Sequence, residues 1–397
     1  MKVGISSFAG DAGKSGISQY MINIFKRLPE LSGEDEYVLF MTRSDREYFE
    51  TGQARVKVVA YPDWIGSPIV NILWHLIWLP VALAKFRCDC VFMPAGNRRL
   101  GWWYGAPSIS TVHDLSQLHV KGKYDPFRMF YIKRVLPRMM KRLDHIVAVS
   151  KATRRDLESH VGIDPESIDV VYNGADLESY KPQGKNEAAK RVRKKLGVDA
   201  PYILYTARLE HPGKNHVRLI KAFAQLKRET GIPHKLVLAG SPWLGAEAIY
   251  AAVRGFGVEQ HVCFPGFVPN DELPSLYSGA DLFVFPSLFE GFGIPLLEAM
   301  ASGTPLCASN VASIPEVVRD AGLLFDPDKV DEIQHAMALL LTDRKLRARM
   351  AKRGLHQASL FSWDDSARQL LSIIHAVSEL KKNHSAEPGS KLIRNER

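Results

Sequence analysis

The chain has 397 residues, 46% hydrophobic and 24% charged, with a formal net charge of +9. That is too long for one ordinary core and too apolar for a disordered chain, so two domains of roughly 150–200 residues are expected. Four cysteines, Cys88, Cys90, Cys263 and Cys307, have no zinc-site spacing and are few enough to suggest a reducing compartment.

In chain order, the N-terminus lacks the long apolar core of a leader and reads as a first strand, Val3–Ser6. The loop that follows, Gly13-Lys14-Ser15-Gly16, invites a phosphate-loop reading, but the position where that motif needs glycine is Phe8. Gly16 would still let backbone N–H groups approach an anion or a sugar. β-branched and aromatic runs then recur at Tyr37–Phe40, Val56–Val59, Cys90–Met93, Ser108–Val112, His145–Val149 and Asp169–Tyr172, alternating with helical patterns such as Ile17–Leu28 and Met129–Leu143. Strands alternating with helices imply a parallel sheet covered on both faces.

Two stretches stand apart. From Trp64 to Ala84 there is no formal charge, and Trp64, Trp74 and Trp78 lie within the run. Its length approaches a membrane span, but Pro68, Asn71, His75 and Pro80 interrupt it, so a buried or interfacial helix fits better than a spanning one. From Lys121 to Arg155 there are eleven Lys or Arg residues against Asp125 and Asp144. A basic stripe of that kind attracts phosphates, although a solvated helix face explains it equally well. Nucleic-acid binding would rest on this charge alone, without a recognition motif, and nucleic acid is not expected as a partner.

Residues 1–180 are expected to form one domain. Residues 181–200, with seven basic residues and one acid between Lys181 and Lys195, read as an exposed connection. A second domain over 201–365 repeats the theme. Its strands are expected at Tyr202–Thr206, Lys235–Ala239, Val262–Phe264, Leu282–Phe285, Pro305–Ala308 and Leu323–Phe325, and its helices include His216–Thr230 and Asp331–Leu341. A helix over 366–380 and a disordered tail over 381–397 complete the expected order. The fold class is α/β, two tandem Rossmann-like doubly wound domains facing a cleft, the last helix crossing back to the first domain. Ligands of such sheets bind in loops after strands. No Gly-x-Gly-x-x-Gly or Gly-x-Ser-x-Gly element occurs where a nicotinamide or hydrolase site would need it, and neither a zinc nor an Asp-x-Asp metal site has a good candidate.

Three post-strand segments carry chemistry. The first is Pro286-Ser287-Leu288-Phe289-Glu290-Gly291-Phe292-Gly293-Ile294-Pro295-Leu296-Leu297-Glu298. Gly291 and Gly293 permit a tight turn and a close ligand approach, and a helix starting near Ile294 would aim N–H groups at a diphosphate. Glu290 and Glu298 bracket that turn, and carboxylates suit the vicinal hydroxyls of a sugar and a ribose. The second, Thr206-Ala207-Arg208-Leu209-Glu210-His211-Pro212-Gly213-Lys214, places Arg208 and Lys214 about a Pro-Gly turn. Two cations there could stabilise a leaving diphosphate. The third, Val112-His113-Asp114, could present a histidine to a sugar hydroxyl, although a histidine satisfied by its own loop is the plainer reading of these residues alone.

Together these residues resemble the glycosyltransferase family 4 group, retaining enzymes of GT-B architecture, over essentially residues 1–380. Glu290 and Glu298 with seven residues between them form the most specific match. Tyr172-Asn173-Gly174-Ala175-Asp176 is similar to the family's Tyr-Asn-Gly-Val-Asp before the interdomain connection, and Ala148-Val149-Ser150 to its strand end. The loop Lys14–Tyr20 departs from the usual Gly-Gly-Ile-Gly-Arg-Tyr, keeping Gly16 as its one glycine. The spacing about Lys214 also lacks the common acidic residue just before the lysine.

The resemblance implies that Arg208 and Lys214 hold the donor diphosphate and Glu298 the ribose. Glu290 with the Gly291, Phe292, Gly293 and Ile294 segment would hold the transferred sugar, and His113 would contact it near the reacting carbon. The Gly266-Phe267-Val268 loop would lie against the base, Gly240 would give the nucleotide room, and Gly16 would serve the acceptor side. It also implies no cofactor and no metal, a nucleotide-sugar donor, and a glycan or polyprenyl-linked acceptor in surface polysaccharide or glycolipid synthesis. The expected location is cytoplasmic, peripheral on an anionic inner membrane face. GDP-mannose is the first-choice donor by family habit. UDP-glucose or UDP-N-acetylglucosamine comes next, and a hydrolysing nucleotide-sugar epimerase is a further alternative.

Overall fold

The structure, a computed structural model, describes residues 1–8, 15–49, 52–120, 129–199 and 201–386. The first half forms β1 (Lys2–Ser6), β2 (Glu36–Thr42), β3 (Val56–Tyr61), β4 (Cys90–Met93), β5 (Ser108–Val112), β6 (His145–Ala148) and β7 (Ile168–Val170). They pair in parallel in the order β3-β2-β1-β4-β5-β6-β7. The second half forms β8 (Tyr202–Thr206), β9 (Lys235–Ala239), β10 (Val262–Gly266), β11 (Leu282–Phe285), β12 (Leu306–Ser309) and β13 (Leu323–Phe325), again parallel, in the order β10-β9-β8-β11-β12-β13. Every strand lies within two residues of the run read from the sequence. Most of the runs are continuously apolar because both faces of each sheet are covered; β5, Ser108-Ile109-Ser110-Thr111-Val112, is the mixed one, buried throughout, its Ser110 hydroxyl bonded to the Met93 carbonyl at 2.8 Å.

In each sheet the strand order reverses once, between β1 and β4 and between β8 and β11. A reversal sends the flanking helices to opposite faces and leaves a crevice at the carboxyl ends of the two strands. One face of the first sheet, with Val3, Ile5, Leu39 and Phe92, packs beneath the helix Gly16–Ser32 and the final helix. The other face, with Val38, Phe40, Val91 and Met93, packs beneath residues 63–86 and the helix Leu136–Met140.

Three boundaries differ from expectation. The stretch 181–200 is no loose connection: Lys185–Leu196 is a helix whose Ala188 and Val192 are buried, and Arg191 binds the Glu272 carboxylate at 2.7 Å. Its four-residue apolar spacing provides one narrow packing face in an otherwise basic run. The final helix begins at Trp363, not 366, because Trp363 belongs to the first domain's core while Phe361 belongs to the second's. It also continues through Ala386, past the expected end at 380. The rest of the expected tail, 387–397, lies outside the described residues, as do Gly13, Lys14, Lys121, Lys123, Asp125 and Arg128.

The two chain crossings lie side by side. The Ala175 N–H donates to the Phe361 carbonyl at 3.0 Å, and the Ser366 hydroxyl to the Tyr172 carbonyl at 2.6 Å. A Cβ on Gly174 would fall 2.1 Å from the Trp363 nitrogen, so only glycine fits where the strands cross.

The uncharged segment lies on the first sheet. Ile69–Phe86 is long and apolar enough to cross a membrane, yet a third of it is buried in the protein. Trp74 packs against Phe8, Phe40 and Tyr61. His75 donates from Nδ1 to the Asn71 carbonyl at 2.7 Å and accepts the Ser6 hydroxyl at Nε2, 2.8 Å away. The opposite side, with Trp64, Ile69, Ile77, Trp78 and Val81, is exposed.

Candidate active site

The two loops that flank the second sheet's reversal are the two singled out in its sequence, after β8 and after β11. They are stitched together. The Leu288 N–H donates to the Gly213 carbonyl at 3.0 Å, and Asn215 Nδ2 to the Pro286 carbonyl at 3.0 Å. Tyr205 donates its hydroxyl to the Lys214 carbonyl at 2.9 Å and lies 3.0 Å from the Ser287 hydroxyl. Lys214 and Glu290 then meet directly, Nζ to Oε1 at 2.6 Å, with 22% and 15% of their side chains exposed. An ammonium has three donors, so one bond to Glu290 leaves two for an anion. The sequence placed both residues in the site without showing that they touch.

The Arg208 guanidinium lies 3.8 Å from the Glu210 carboxylate and 5.0 Å from the centre of the exposed Trp243 ring. Arg208 and Lys214 thus each have their own carboxylate partner, Glu210 and Glu290.

Gly293 caps the helix Ile294–Ala301 with φ +100°, a left-handed backbone that favours glycine. Among the described residues no side chain caps that N-terminus; Pro295 has no N–H and the Leu296 N–H donates to the Gly293 carbonyl at 3.0 Å, so of the first three residues it is Ile294 whose N–H can meet an anion. Ser313 holds the turn below by donating to the Glu290 carbonyl at 2.8 Å and the Phe292 carbonyl at 3.1 Å. The Phe292 side chain itself goes into the core between Tyr172 and Phe361.

Glu298 sits one turn into the helix and is held by tyrosines that sequence reasoning missed. Tyr277 donates to its Oε2 at 2.7 Å, and Tyr180 also bonds the carboxylate. Burial raises the Glu298 pKa above the usual carboxylate value, and the two hydroxyls oppose that rise. A carboxylate has about four acceptor positions, so room remains for a diol. Glu298 lines a cleft with Gln19 and Asn23 of the first domain and Asp176, Tyr180 and Asn270 beside it. Glu290 does not line that cleft. The two glutamates thus serve separate ends of the helix turn, each with its own partner.

At the other positions the structure sharpens the expectations. A Cβ on Gly240 would fall 2.0 Å from the Ala207 carbonyl oxygen. That space is filled by backbone, so the glycine lets two strand ends pack and does not itself leave a void for a nucleotide. Phe267 is exposed and Val268 buried, so of the two only Phe267 presents a surface. A Cβ on Gly16 would lie 3.8 Å from Ile294 Cδ1, placing the first helix's start opposite the start of the Ile294 helix.

His113 reaches across the first sheet's end. Its Nε2 donates to the Pro94 carbonyl, 2.7 Å away, and its ring stands edge-on to Tyr20. Burial pushes its pKa down to about 4, so the imidazole is neutral at pH 7 with the lone pair on Nδ1. Its carbonyl abuts the second domain: a Cβ on Gly291 would fall 1.7 Å from the His113 oxygen. Thr153 Oγ1 lies 3.4 Å from the Gly291 carbonyl. Glu316 of the second domain accepts from the N–H groups of Lys151 and Ala152, each at 3.1 Å. The glycine turn that carries Glu290 is thereby pressed against the loop that carries His113.

Residues 14–179 match the model described as Glycosyltransferase Family 4, and residues 186–357 that of Glycosyl transferases group 1. O-antigen chain mannosyltransferase B of Escherichia coli is 33% identical over 67% of this chain and 69% of its own length. The chain belongs to glycosyltransferase family 4. A D-inositol 3-phosphate glycosyltransferase of Nocardia farcinica is 32% identical over 96% of this chain and 88% of its own length. The serotype-specific mannosyltransferase WbdA of Escherichia coli is 31% identical, and the chain spans 34% of its length. Among solved structures, Anabaena HepE in complex with UDP and glucose superimposes with a TM-score of 0.75 at 21% identity, covering 94% of this chain and 99% of that one. WaaG, a glycosyltransferase involved in lipopolysaccharide biosynthesis, gives 0.71 at 16% identity over 94% and 99%. The fold is two tandem Rossmann-like domains of GT-B type, and the protein is a glycosyltransferase.

Burial also sets an acid limit on the fold. His75, His113 and His216 are buried, and burial lowers their pKa values to about 4, 4 and 3. Unfolded histidines titrate near 6.5, so between pH 6.5 and about 4 the unfolded chain binds protons that the folded chain refuses. Stability is full above pH 6.5 and falls as the pH drops, by up to roughly 1.4 kcal/mol per pH unit for each histidine. Urea midpoints should stay level from pH 7.5 to about 6.5 and fall steadily from there to pH 4.5. A flat profile would contradict the buried neutral state of these rings.

Proposed function

We propose that the protein transfers mannose from GDP-mannose, with retention and without a metal, to a glycan or polyprenyl-linked acceptor in surface polysaccharide or glycolipid synthesis. The Lys214–Glu290 pair at the sheet reversal carries the reading. As the bond from the sugar's anomeric carbon to the diphosphate breaks, negative charge collects on the leaving oxygens. Lys214, Arg208 and the Ile294 helix start meet that charge with fixed positive groups, the service a metal would otherwise perform. Glu290 orients Lys214 and accepts a hydroxyl of the transferred sugar, with the Gly291–Gly293 backbone beside it. Neutral His113 accepts a hydroxyl at Nδ1 near the reacting carbon. Glu298, braced by Tyr180 and Tyr277, takes the ribose diol, while Phe267 and the Val268 backbone border the base. The acceptor enters from the first domain past Gly16.

The mannosyl choice leans on the two mannosyltransferase relatives of Escherichia coli. A UDP-hexose is the second reading, favoured by the HepE structure with UDP and glucose. Incubation with radiolabelled GDP-mannose, UDP-glucose or UDP-N-acetylglucosamine and a lipid-linked oligosaccharide discriminates them. Mannose in the lipid fraction supports the first; label from a UDP-sugar alone replaces it. Free sugar released without acceptor points to an epimerase or hydrolase.

The same reading places the enzyme at the cytoplasmic membrane face. The exposed side of residues 64–81 carries Trp64, Ile69, Leu73, Ile77, Trp78 and Val81. A Cβ on Gly101 would lie 2.7 Å from the His75 carbonyl, and the next residue, Trp102, is exposed. The Arg142 guanidinium sits 5.3 Å over the Trp102 ring, and Lys133, Arg134, Arg138 and Lys141 are exposed on the same side of the sheet. Tryptophans beside cations suit an anionic headgroup layer. Replacing Trp64 and Trp78 by Ser should reduce co-sedimentation with phosphatidylglycerol vesicles by about tenfold, corresponding to roughly 1.4 kcal/mol. Binding equal to that of the unaltered chain would remove the membrane clause.

A further inference from the structure

Outside the donor site, three metal-type ligands converge where the two domains meet. His119 ends the short helix Ser116–His119, which follows the His113 loop. Asp156 and His160 lie one turn apart on Lys151–Val161, whose last turn, Leu157–Val161, widens to π-helical spacing. His119 Nε2 lies 2.8 Å from one Asp156 oxygen and His160 Nδ1 3.7 Å from the other. All three ligand atoms fall within 4.8 Å of one another. Around a tetrahedral zinc with bonds of about 2.0–2.1 Å, ligand atoms stand roughly 3.3 Å apart, so modest side-chain rotation closes the set. Asp156 is 9% exposed and anchored, while both imidazoles are open to solvent, which gives a fixed base and an entry path. A lone His–Asp bond would need only one histidine; here a second imidazole stands 3.7 Å from the carboxylate's other oxygen, its Nδ1 held 2.9 Å from the Ser159 hydroxyl, a bond that an ion would replace.

The surroundings give the cluster a use. The His119 ring stacks on Phe289 of the second domain, with centres 4.4 Å apart and planes 14° from parallel. Phe289 immediately precedes Glu290. The helix carrying Asp156 and His160 has its first N–H groups bound by Glu316 of the second domain. An ion on His119 would therefore fix a ring that leans on the donor loop.

We propose that His119, Asp156 and His160 bind one divalent ion of the zinc class, with water in the fourth position, and that the bound ion holds His119 against Phe289 and favours the closed domain arrangement. Two imidazoles and one carboxylate with one open position suit zinc, cobalt or nickel rather than magnesium or calcium. None of the residues assigned to the donor is among the ligands, so this ion would tune domain closure and leave the transfer chemistry to the cleft.

Titration of chelator-stripped full-length protein with zinc chloride should show one tight site per chain. Cobalt at that site should give the visible absorption of a four-coordinate ion. His160→Gln, a solvent-exposed change that leaves the core intact, should weaken zinc binding at least tenfold and abolish the cobalt bands. His160→Cys should restore both. Zinc binding that is undetectable in the unaltered chain, or equal in His160→Gln, overturns the site. For the closure clause, zinc should tighten nucleoside-diphosphate binding in the unaltered chain and lose that effect in Phe289→Ala, which keeps all three ligands. An equal effect in both proteins, or none in either, overturns that clause while the zinc titration still decides the site.

Discussion

Lys214→Ala is expected to lower kcat by about 10²–10³-fold, the usual loss when one fixed group facing a developing charge is removed. With only 22% and 15% of the two side chains exposed, leaving Glu290 unpaired costs up to about 3–5 kcal/mol of stability, so turnover is compared after circular dichroism shows the variant folded. The loss should not come from weaker donor binding alone. Charge on the leaving diphosphate grows toward the transition state, so kcat falls along with kcat/KM. Glu290→Ala should produce a comparable loss by a different route, freeing Lys214 from its 2.6 Å anchor and removing a hydroxyl acceptor. Because the two act as one unit, the double variant should be little worse than either single one. Multiplying losses would mean that Lys214 and Glu290 act independently. Near-normal turnover in either single variant would remove the pair from the site.

Gly291→Ala should have the second large effect. The added methyl would lie 1.7 Å from the His113 carbonyl oxygen and 2.8 Å from Asp114 Cβ. No flexible side chain stands there to give way; the obstacle is backbone of the other domain. The second domain can fold around an alanine at this position, but it cannot dock as it does here. We expect at least a hundredfold loss of kcat/KM, since even a shift of about 1 Å in a reacting constellation costs that much. Small-angle scattering should show a larger radius of gyration than in the parent. Unaltered activity together with unaltered scattering would show that the turn does not need this contact.

These effects separate what the sequence displays from what only folding assembles. The strands were legible because fully covered parallel strands are continuous apolar runs; Leu282–Phe285 is one, and the loop after it had to lie at a carboxyl end. Glu290, Glu298, Arg208 and Lys214 were legible for the same reason, each standing just past such a run. The Lys214–Glu290 contact was not, since it spans 76 residues and depends on β8 lying beside β11. Tyr180 and Tyr277 were invisible as partners of Glu298 because neither a tyrosine in a turn, like Tyr180, nor one in an apolar helix, like Tyr277, carries a local mark of where its hydroxyl points. Arg208 on Trp243 was unreadable likewise. The helix at Lys185–Leu196 was readable: Ala188 and Val192 stand four apart in a basic run, but seven cations drew attention to charge and away from period. The crossing at Trp363 was hidden because core membership changes from Phe361 to Trp363 within two residues, with no break in composition.

The central claim is that the loops after β8 and β11, with the Glu298 cleft, hold a nucleotide-diphosphate sugar. Calorimetric titration of GDP and of UDP into the full-length chain, its Lys214→Ala variant and its Glu298→Ala variant tests it most directly. The expected result is saturable one-to-one binding of at least one of the two nucleotides, weakened tenfold or more in both variants, which is about 1.4 kcal/mol or more. Absence of binding by either nucleotide at millimolar concentration, or equal affinity in all three proteins, would contradict it.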